Sequence, residues 1–230
     1  MASIEGYIQQ RAFGVSSDST SAQIRATREQ HLYVNTREGL VDSWIRDGRV
    51  FISSNPTFGT PETMSAAGTA YTATAPSLRF TVPSGLCVVP IFVQLAVVTV
   101  AAKNDLFGVI VSDTDTFTSG GEACVARNAL IESNDAYRTT QVTNLLNSDT
   151  AIVETTLTRT RILKQLTRAG TASETDPTWN PEYNILKGDS MVYIKGPASF
   201  LVFAVQETTA AEAEWQMAWA ELDTNVAWNT

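Results

Sequence analysis

The chain of 230 residues contains one histidine, His31, and two cysteines, Cys87 and Cys124. A zinc site draws about four ligands from Cys, His and carboxylate side chains, so no metal site is expected through these residues. A lone histidine beside a polar segment has no third group to orient it as a base, which argues against Ser-His-Asp and Cys-His chemistry. GxSxG, P-loop and GxGxxG patterns are all missing, and with them the local signatures of acyl transfer and nucleotide binding. Lysine is scarce and the net charge is −8, whereas a duplex-binding protein presents a basic face. The sequence therefore nominates no catalytic, cofactor-binding or metal-ligating residue, and its charge disfavours nucleic acid as a partner. The opening MASIEGYIQQ has no apolar leader, and Asn55 is followed by Pro56, so no Asn-x-Ser/Thr sequon occurs. A secreted glycoprotein is not expected. The cysteines lie in apolar or small-residue surroundings without CxxC spacing and read as buried thiols, with a disulfide between them left open.

What is present is strand-forming. Hydrophobic residues make up 43% of the chain and charged ones 17%, the composition of a folded protein. Threonine, valine and alanine are abundant, which favours strands over solvated helices. At 24.9 kDa a single domain can remove roughly 70% of its unfolded surface from water. Residues 1–30, including "VSSDSTSAQIRATREQ", are polar without a core pattern and read as an N-terminal arm. Residues 31–230 read as one β domain.

The longest uncharged run is "VPSGLCVVPIFVQLAVVTVAA", residues 82–102. Its length would suit a membrane span, but Pro83, Ser84, Gly85 and Pro90 punctuate it and Gln94 stands in its middle. Its β-branched content points to a strand, and no basic cluster flanks it on one side. Leu78, Phe80 and Val82 alternate with Arg79 and Thr81, predicting one buried and one wet face. Pro83-Ser84-Gly85 then turns the chain into a long strand over about 86–100, apolar on both faces. Such a strand must be covered on both, by a second sheet and a loop or by another subunit.

The same grammar returns at 183–205. Tyr183, Ile185 and Leu186 lead into Lys187-Gly188-Asp189-Ser190, a strand over Met191–Ile194, a Lys195-Gly196-Pro197 turn and a strand over Phe200–Val205. Further strands are expected at Leu106–Val111 and about Ala123–Ile131. Many short strands separated by Gly, Pro, Asp and Ser turns point to a β-sandwich or jelly roll. In "TREGLVDSWIRDG" Leu40, Val41, Trp44 and Ile45 share a helical face, with Thr36 as cap and Gly48 as stop. "TLTRTRILKQLTR" fits neither period. "AEAEWQMAWAELD" places Trp215, Met217 and Trp219 on one strand face, although Trp215, Ala218, Trp219 and Leu222 also form a helical stripe; a final strand is favoured.

Charge is uneven. Residues 151–173 hold four basic side chains, Arg159, Arg161, Lys164 and Arg168, against one acidic one, while residues 174–230 hold nine acidic and two basic. The strip reads as a solvated face or as a docking strip for the acidic C-terminal third of a neighbouring copy. Asp113 and Asp115, spaced i, i+2 at a strand end, can bind Ca²⁺ only with further ligands, and loop formation is the plainer reading. Glu212, Glu214, Glu221 and Asp223 surround the terminal tryptophans and can frame a sugar site, although the same tryptophans suit a core or an interface.

Taken in order, "DGRVFISSNPTFGTPE", "APSLRFTVPSGLCVVPIFVQL", "YNILKGDSMVYIKGPASFLVFAV" and the terminal "WAELD" resemble small jelly-roll structural proteins of bacterial viruses, nearest to cement or head-decoration proteins. The resemblance covers about two thirds of the chain and leaves out residues 1–30 and 133–181. It implies an all-β, jelly-roll-like sandwich with a short helix and an extended N-terminal arm. It also implies a non-enzymatic virion component that needs no cofactor, is assembled in the host cytoplasm, pairs with itself as trimer or dimer and binds a capsid shell protein rather than a membrane. On that reading the two-faced strand and the terminal tryptophans supply the interface, through Val89, Ile91, Phe92, Val93, Leu95, Val97, Trp215 and Trp219. Two alternatives stay open: a single jelly-roll major capsid protein, whose genome-facing surface would use residues 159–168 or Arg11, Arg25 and Arg28, and a carbohydrate-binding β-sandwich.

Overall fold

The structure, a computed structural model, describes residues 40–57, 59–65, 72–98, 105–131, 138–157, 159–168, 179–206 and 210–224. The N-terminal arm, Thr36 and His31 lie outside the described residues. Helix α1 (Leu40–Arg46) is followed by β1 (Val50–Ser54), β2 (Glu62–Ser65), β3 (Leu78–Val82), β4 (Leu86–Val97) and β5 (Asp105–Ser112). Next come β6 (Phe117–Ser119), β7 (Glu122–Ala123), β8 (Arg127–Asn128), β9 (Thr143–Asn147) and β10 (Val153–Glu154). The last strands are β11 (Thr160–Arg168), β12 (Glu182–Asn184), β13 (Ile194–Lys195), β14 (Ala198–Gln206) and β15 (Ala211–Asp223). The chain is thus mostly β. No helix among the described residues is long and apolar enough to cross a membrane.

Two antiparallel sheets carry the fold. The first runs β12–β4–β15–β1–β8, with β13 also on β4 and β2 also on β15; the second runs β11–β5–β14–β3–β9–β7. β6 and β10 form a separate two-stranded ribbon. The sheets pack face to face over one core, in which Phe80 and Phe200 of the second sheet stack at 4.8 Å and Phe80 meets Trp219 of the first at 5.3 Å. Aromatic pairs at these separations add to the gain from area burial.

The turns after β3 and β13 explain why each strand-turn-strand unit seen in the sequence spans both sheets. β3 and β14 belong to the second sheet, β4 and β13 to the first, so each turn crosses the sandwich instead of closing a hairpin. The two turns also stack on one another: Gly196 N–H donates to the Leu86 carbonyl at 3.0 Å, and a Cβ at Gly196 would stand 2.0 Å from the Pro83 carbonyl oxygen. Gly196 is there for close approach.

β4 resolves the question of its two apolar faces. Leu86 and Val88 point into the core, while Cys87, Val89 and Ile91 point outward into a second cluster beneath Trp44, Val41 and Ile45 of α1. A register shift opposite Ala218 and Trp219 then inverts the parity, so that Val93, Leu95 and Val97 point inward and Gln94 is exposed. A bulge of this kind places one extra residue against the partner strand. The cover comes from the second sheet and α1 of the same chain. α1 ends in a Schellman arrangement, with Gly48 N–H on Ile45 O and Arg49 N–H on Trp44 O, both 2.9 Å, and Gly48 at φ 64°.

Several expectations are corrected. Arg79 and Thr81 are buried, not wet, because the β6–β10 side of the molecule covers the outer face of β3. The stretch 123–131 holds only the short strands β7 and β8, with Val125 and Ile131 exposed. Of the strand expected at 191–194 only Ile194 lies in a strand, β13, which runs on into Lys195 of the expected turn; Met191 and Tyr193 are exposed. Leu40 is also exposed, so the packed face of α1 is narrower than its spacing implied. The segment "TLTRTRILKQLTR" contains β11, an edge strand whose register shifts between Ile162 and Lys164. That shift is why neither period fitted it. "AEAEWQMAWAELD" is a strand, with Trp215, Met217 and Trp219 facing the core.

Candidate functional site

The residues nominated for an interface lie inside the chain's own core. Val93, Leu95, Val97, Trp215 and Trp219 belong to the main core, Val89 and Ile91 to the cluster under α1, and only Phe92 is half-buried. Their burial needs no second subunit, so any surface for another molecule must be sought elsewhere.

The nominated carboxylates are not brought together. Glu221 points inward at one end of the sandwich, where it accepts from Trp219 Nε1 at 3.1 Å, from Gln141 N at 2.8 Å, from Val142 N at 3.3 Å and from the Thr140 hydroxyl. It fastens the segment 140–142 over the core. Glu214 faces outward on the same strand, and Glu212 and Asp223 are exposed. Asp113 pairs with Arg159 at 3.6 Å, while Asp115 Oδ1 takes Thr81 Oγ1 at 3.0 Å, Phe117 N at 3.2 Å and Arg79 Nη2 at 3.3 Å. The pair divides between two arginines. Among the described residues no group of three His, Cys, Asp or Glu side chains is placed to hold an ion.

The basic strip also finds partners within the chain. Lys164 Nζ meets Asp189 Oδ1 at 2.6 Å, and Arg168 Nη2 meets Asp105 Oδ2 at 2.8 Å. Burial pushes Asp105 upward in pKa, with Arg168 and Gln206 opposing it. Burial also pushes Asp189 upward, but the Lys164 and Asn184 hydrogen bonds outweigh it and hold the carboxyl below its usual range. Cys87 and Cys124 are free thiols, Cys87 beneath α1 and Cys124 against the main core. Burial raises Cys87 and pushes Cys124 up to about 12, the latter helped by Glu62 and Glu122.

A charged cluster unforeseen in the sequence lies under the β6–β10 ribbon. Arg79, 0% exposed, points out of the second sheet and meets Glu154 Oε1 of β10 through Nε at 2.6 Å, with Phe117 of β6 stacked 4.5 Å from the guanidinium. Its Nη2 donates to Thr81 Oγ1 and Ser199 Oγ at 3.0 and 3.2 Å. Burial lowers Arg79 and raises Glu154, with Thr116 and Arg79 pulling Glu154 the other way. The sequence signal was an arginine inside an otherwise strand-like apolar alternation.

Three features remain open to solvent. β11 is nine residues long and pairs on one side only, with β5, among the described residues. Leu186, Met191 and Tyr193 lie exposed in the short segment between β12 and β13. On the outer face of the first sheet, beyond the part that α1 covers, a depression of about 330 Å³ is lined by Ser54, Asn55, Gln94, Ala96, Glu214 and Gln216, among others. Ser54 of β1, Gln216 of β15, Gln94 of β4 and Glu182 of β12 face one another in register across four strands. Gln94 had stood out in the sequence only as the polar interruption of an apolar run.

No protein-family model, curated protein or solved structure matches the chain.

Proposed function

We propose that the chain is a jelly-roll structural protein of a virion, a cement or decoration protein that associates with itself as trimer or dimer and binds the outside of a capsid shell. The observation that carries this reading is the strand order. Setting aside the short additions, β1–β15–β4–β12 stands opposite β3–β14–β5–β11, all neighbours antiparallel. Two nested Greek keys produce this order, and such jelly rolls recur in viral shells and in lectins. Fold alone does not choose between those uses.

The surface supports the decoration role. A long open edge strand and a short exposed apolar segment are features that self-associating proteins cover. Net charge of −8 suits an outward position better than contact with packaged genome. Three of the strip's four basic side chains, Arg159, Lys164 and Arg168, meet carboxylates of their own chain, which reduces its free positive charge and disfavours the reading as a genome-facing shell protein. Electron microscopy of the concentrated protein separates the two. Small oligomers of uniform size, without shells, are expected; closed shells built from this chain alone would assign it the main shell role instead.

A further inference from the structure

The outer face of the first sheet changes character along β4 and β15. Under α1 it is apolar, through Cys87, Val89, Ile91, Ala218, Ala220 and Leu222. Past the bulge it becomes the polar row of Ser54, Gln216, Gln94 and Glu182. Directly opposed side chains on neighbouring strands lie about 5 Å apart, and the row crosses four strands, roughly 14 Å at ordinary strand spacing. The volume of the depression there, about 330 Å³, lies at the lower end of the roughly 300–1,000 Å³ typical of small-ligand sites.

The side chains in this depression have capacity to spare. Gln94, Gln216 and Glu214 make no hydrogen bond or ion pair with other described residues. Each glutamine amide presents two donors and one acceptor group, and a carboxylate presents acceptors only. Asn55, at the rim, is held in place: Nδ2 donates to the Thr60 carbonyl at 3.0 Å and Oδ1 accepts from Trp215 N at 2.5 Å. One residue pair further along the same face, half-buried Ile52 and Phe92 border the row with apolar surface.

We propose that this depression binds a neutral, hydroxyl-rich oligosaccharide. Sugar hydroxyls are donors and acceptors at once, so they match the paired Gln94 and Gln216 amides better than an ion or an apolar ligand does. The C–H faces of a sugar ring suit the bordering Phe92 and Ile52. Charge sets the specificity: Glu214 is the charged group of the lining, and it repels sialylated, uronic or sulfated glycans. The inference is independent of a virion role.

Titration calorimetry with maltohexaose, cellohexaose and chitohexaose as neutral probes, and a heparin hexasaccharide as the anionic one, tests it on the full chain. Gln94 and Gln216 are exposed, so the double variant Gln94→Ala/Gln216→Ala keeps the fold, which thermal unfolding verifies. Saturable binding of at least one neutral hexasaccharide is expected, weakened roughly tenfold or more in the double variant, with no binding of heparin. Absence of heat with every neutral probe at millimolar concentration, binding that the double variant retains, or preference for heparin would each overturn the assignment.

Discussion

Arg79 Nε and Glu154 Oε1 stand 2.6 Å apart with both side chains fully buried, one on the outer face of the second sheet and the other on the ribbon above it. Neither Glu154 oxygen nor Arg79 Nη1 has a hydrogen-bond partner among the described residues. Their contact is an ion pair without in-line hydrogen bonding. Desolvating two charges is expensive, and removing one partner of such a pair is worse than removing both.

Arg79→Met is therefore expected to lower stability by about 3–5 kcal/mol, since it leaves the buried Glu154 carboxyl without its cation. The double variant Arg79→Met/Glu154→Met is expected to lose much less than the sum of its single variants. Urea denaturation of the four chains gives the coupling. Additive losses would mean that the pair does not act as a unit.

The pH dependence follows from the carboxyls. Burial raises Glu62, Asp105 and Glu154 above their ordinary values, and Asp189 lies below its own. For the raised three, the folded state binds protons more readily than the unfolded chain, so their contribution is fully present at low pH and is lost as pH rises through the folded values. Asp189 acts oppositely and stabilises until pH falls below its ordinary 3.8. The urea midpoint should hold or rise between about pH 7 and about pH 5, then fall below about pH 4. A midpoint that drops steadily from neutrality would contradict these assignments.

Trp44 covers the outer side of β4, so Trp44→Ala is expected to cost about 3–5 kcal/mol and to open Cys87 to solvent. Ellman's reagent reads the second effect. In the wild-type chain Cys87 should react slowly, and in the variant it should react many times faster while Cys124 changes little. Equal reactivity of Cys87 in both would mean that α1 is not its cover.

Gly196→Ala sets a methyl group against the Pro83 carbonyl where the two crossing turns meet. Backbone must shift on one side or the other, and a loss of about 1–3 kcal/mol is expected. Thermal unfolding checks it, with Gly85→Ala as comparison. At Gly85 nothing crowds a Cβ, and the strain comes from φ of +87°.

The sequence made the strand-turn-strand units, the helix and the terminal strand legible because each is written in local period and turn chemistry. The sheet membership of those strands was not, because a turn such as Pro83-Ser84-Gly85 reads alike whether it closes a hairpin or crosses a sandwich. The inward-facing residues of β4 and β11 could not be read from alternation, because a register shift interrupts the period in each. Arg79 misled for another reason: a charge takes the wet face unless a partner is buried with it, and Glu154 lies far along the chain. Val125 and Ile131 show the converse error, apolar letters that pair with no long strand. The cover of the nominated interface residues was not legible either: Val89 and Ile91 lie under α1, and Val93, Leu95, Val97, Trp215 and Trp219 lie against the second sheet, elements that sequence alone did not place over them.

The central claim is that this chain works as part of an assembly, and its mass in solution by light scattering across a dilution series tests that most directly. A dimer or trimer mass that persists on dilution is the expected result. A mass of 24.9 kDa, that of the single chain, at every concentration would contradict it.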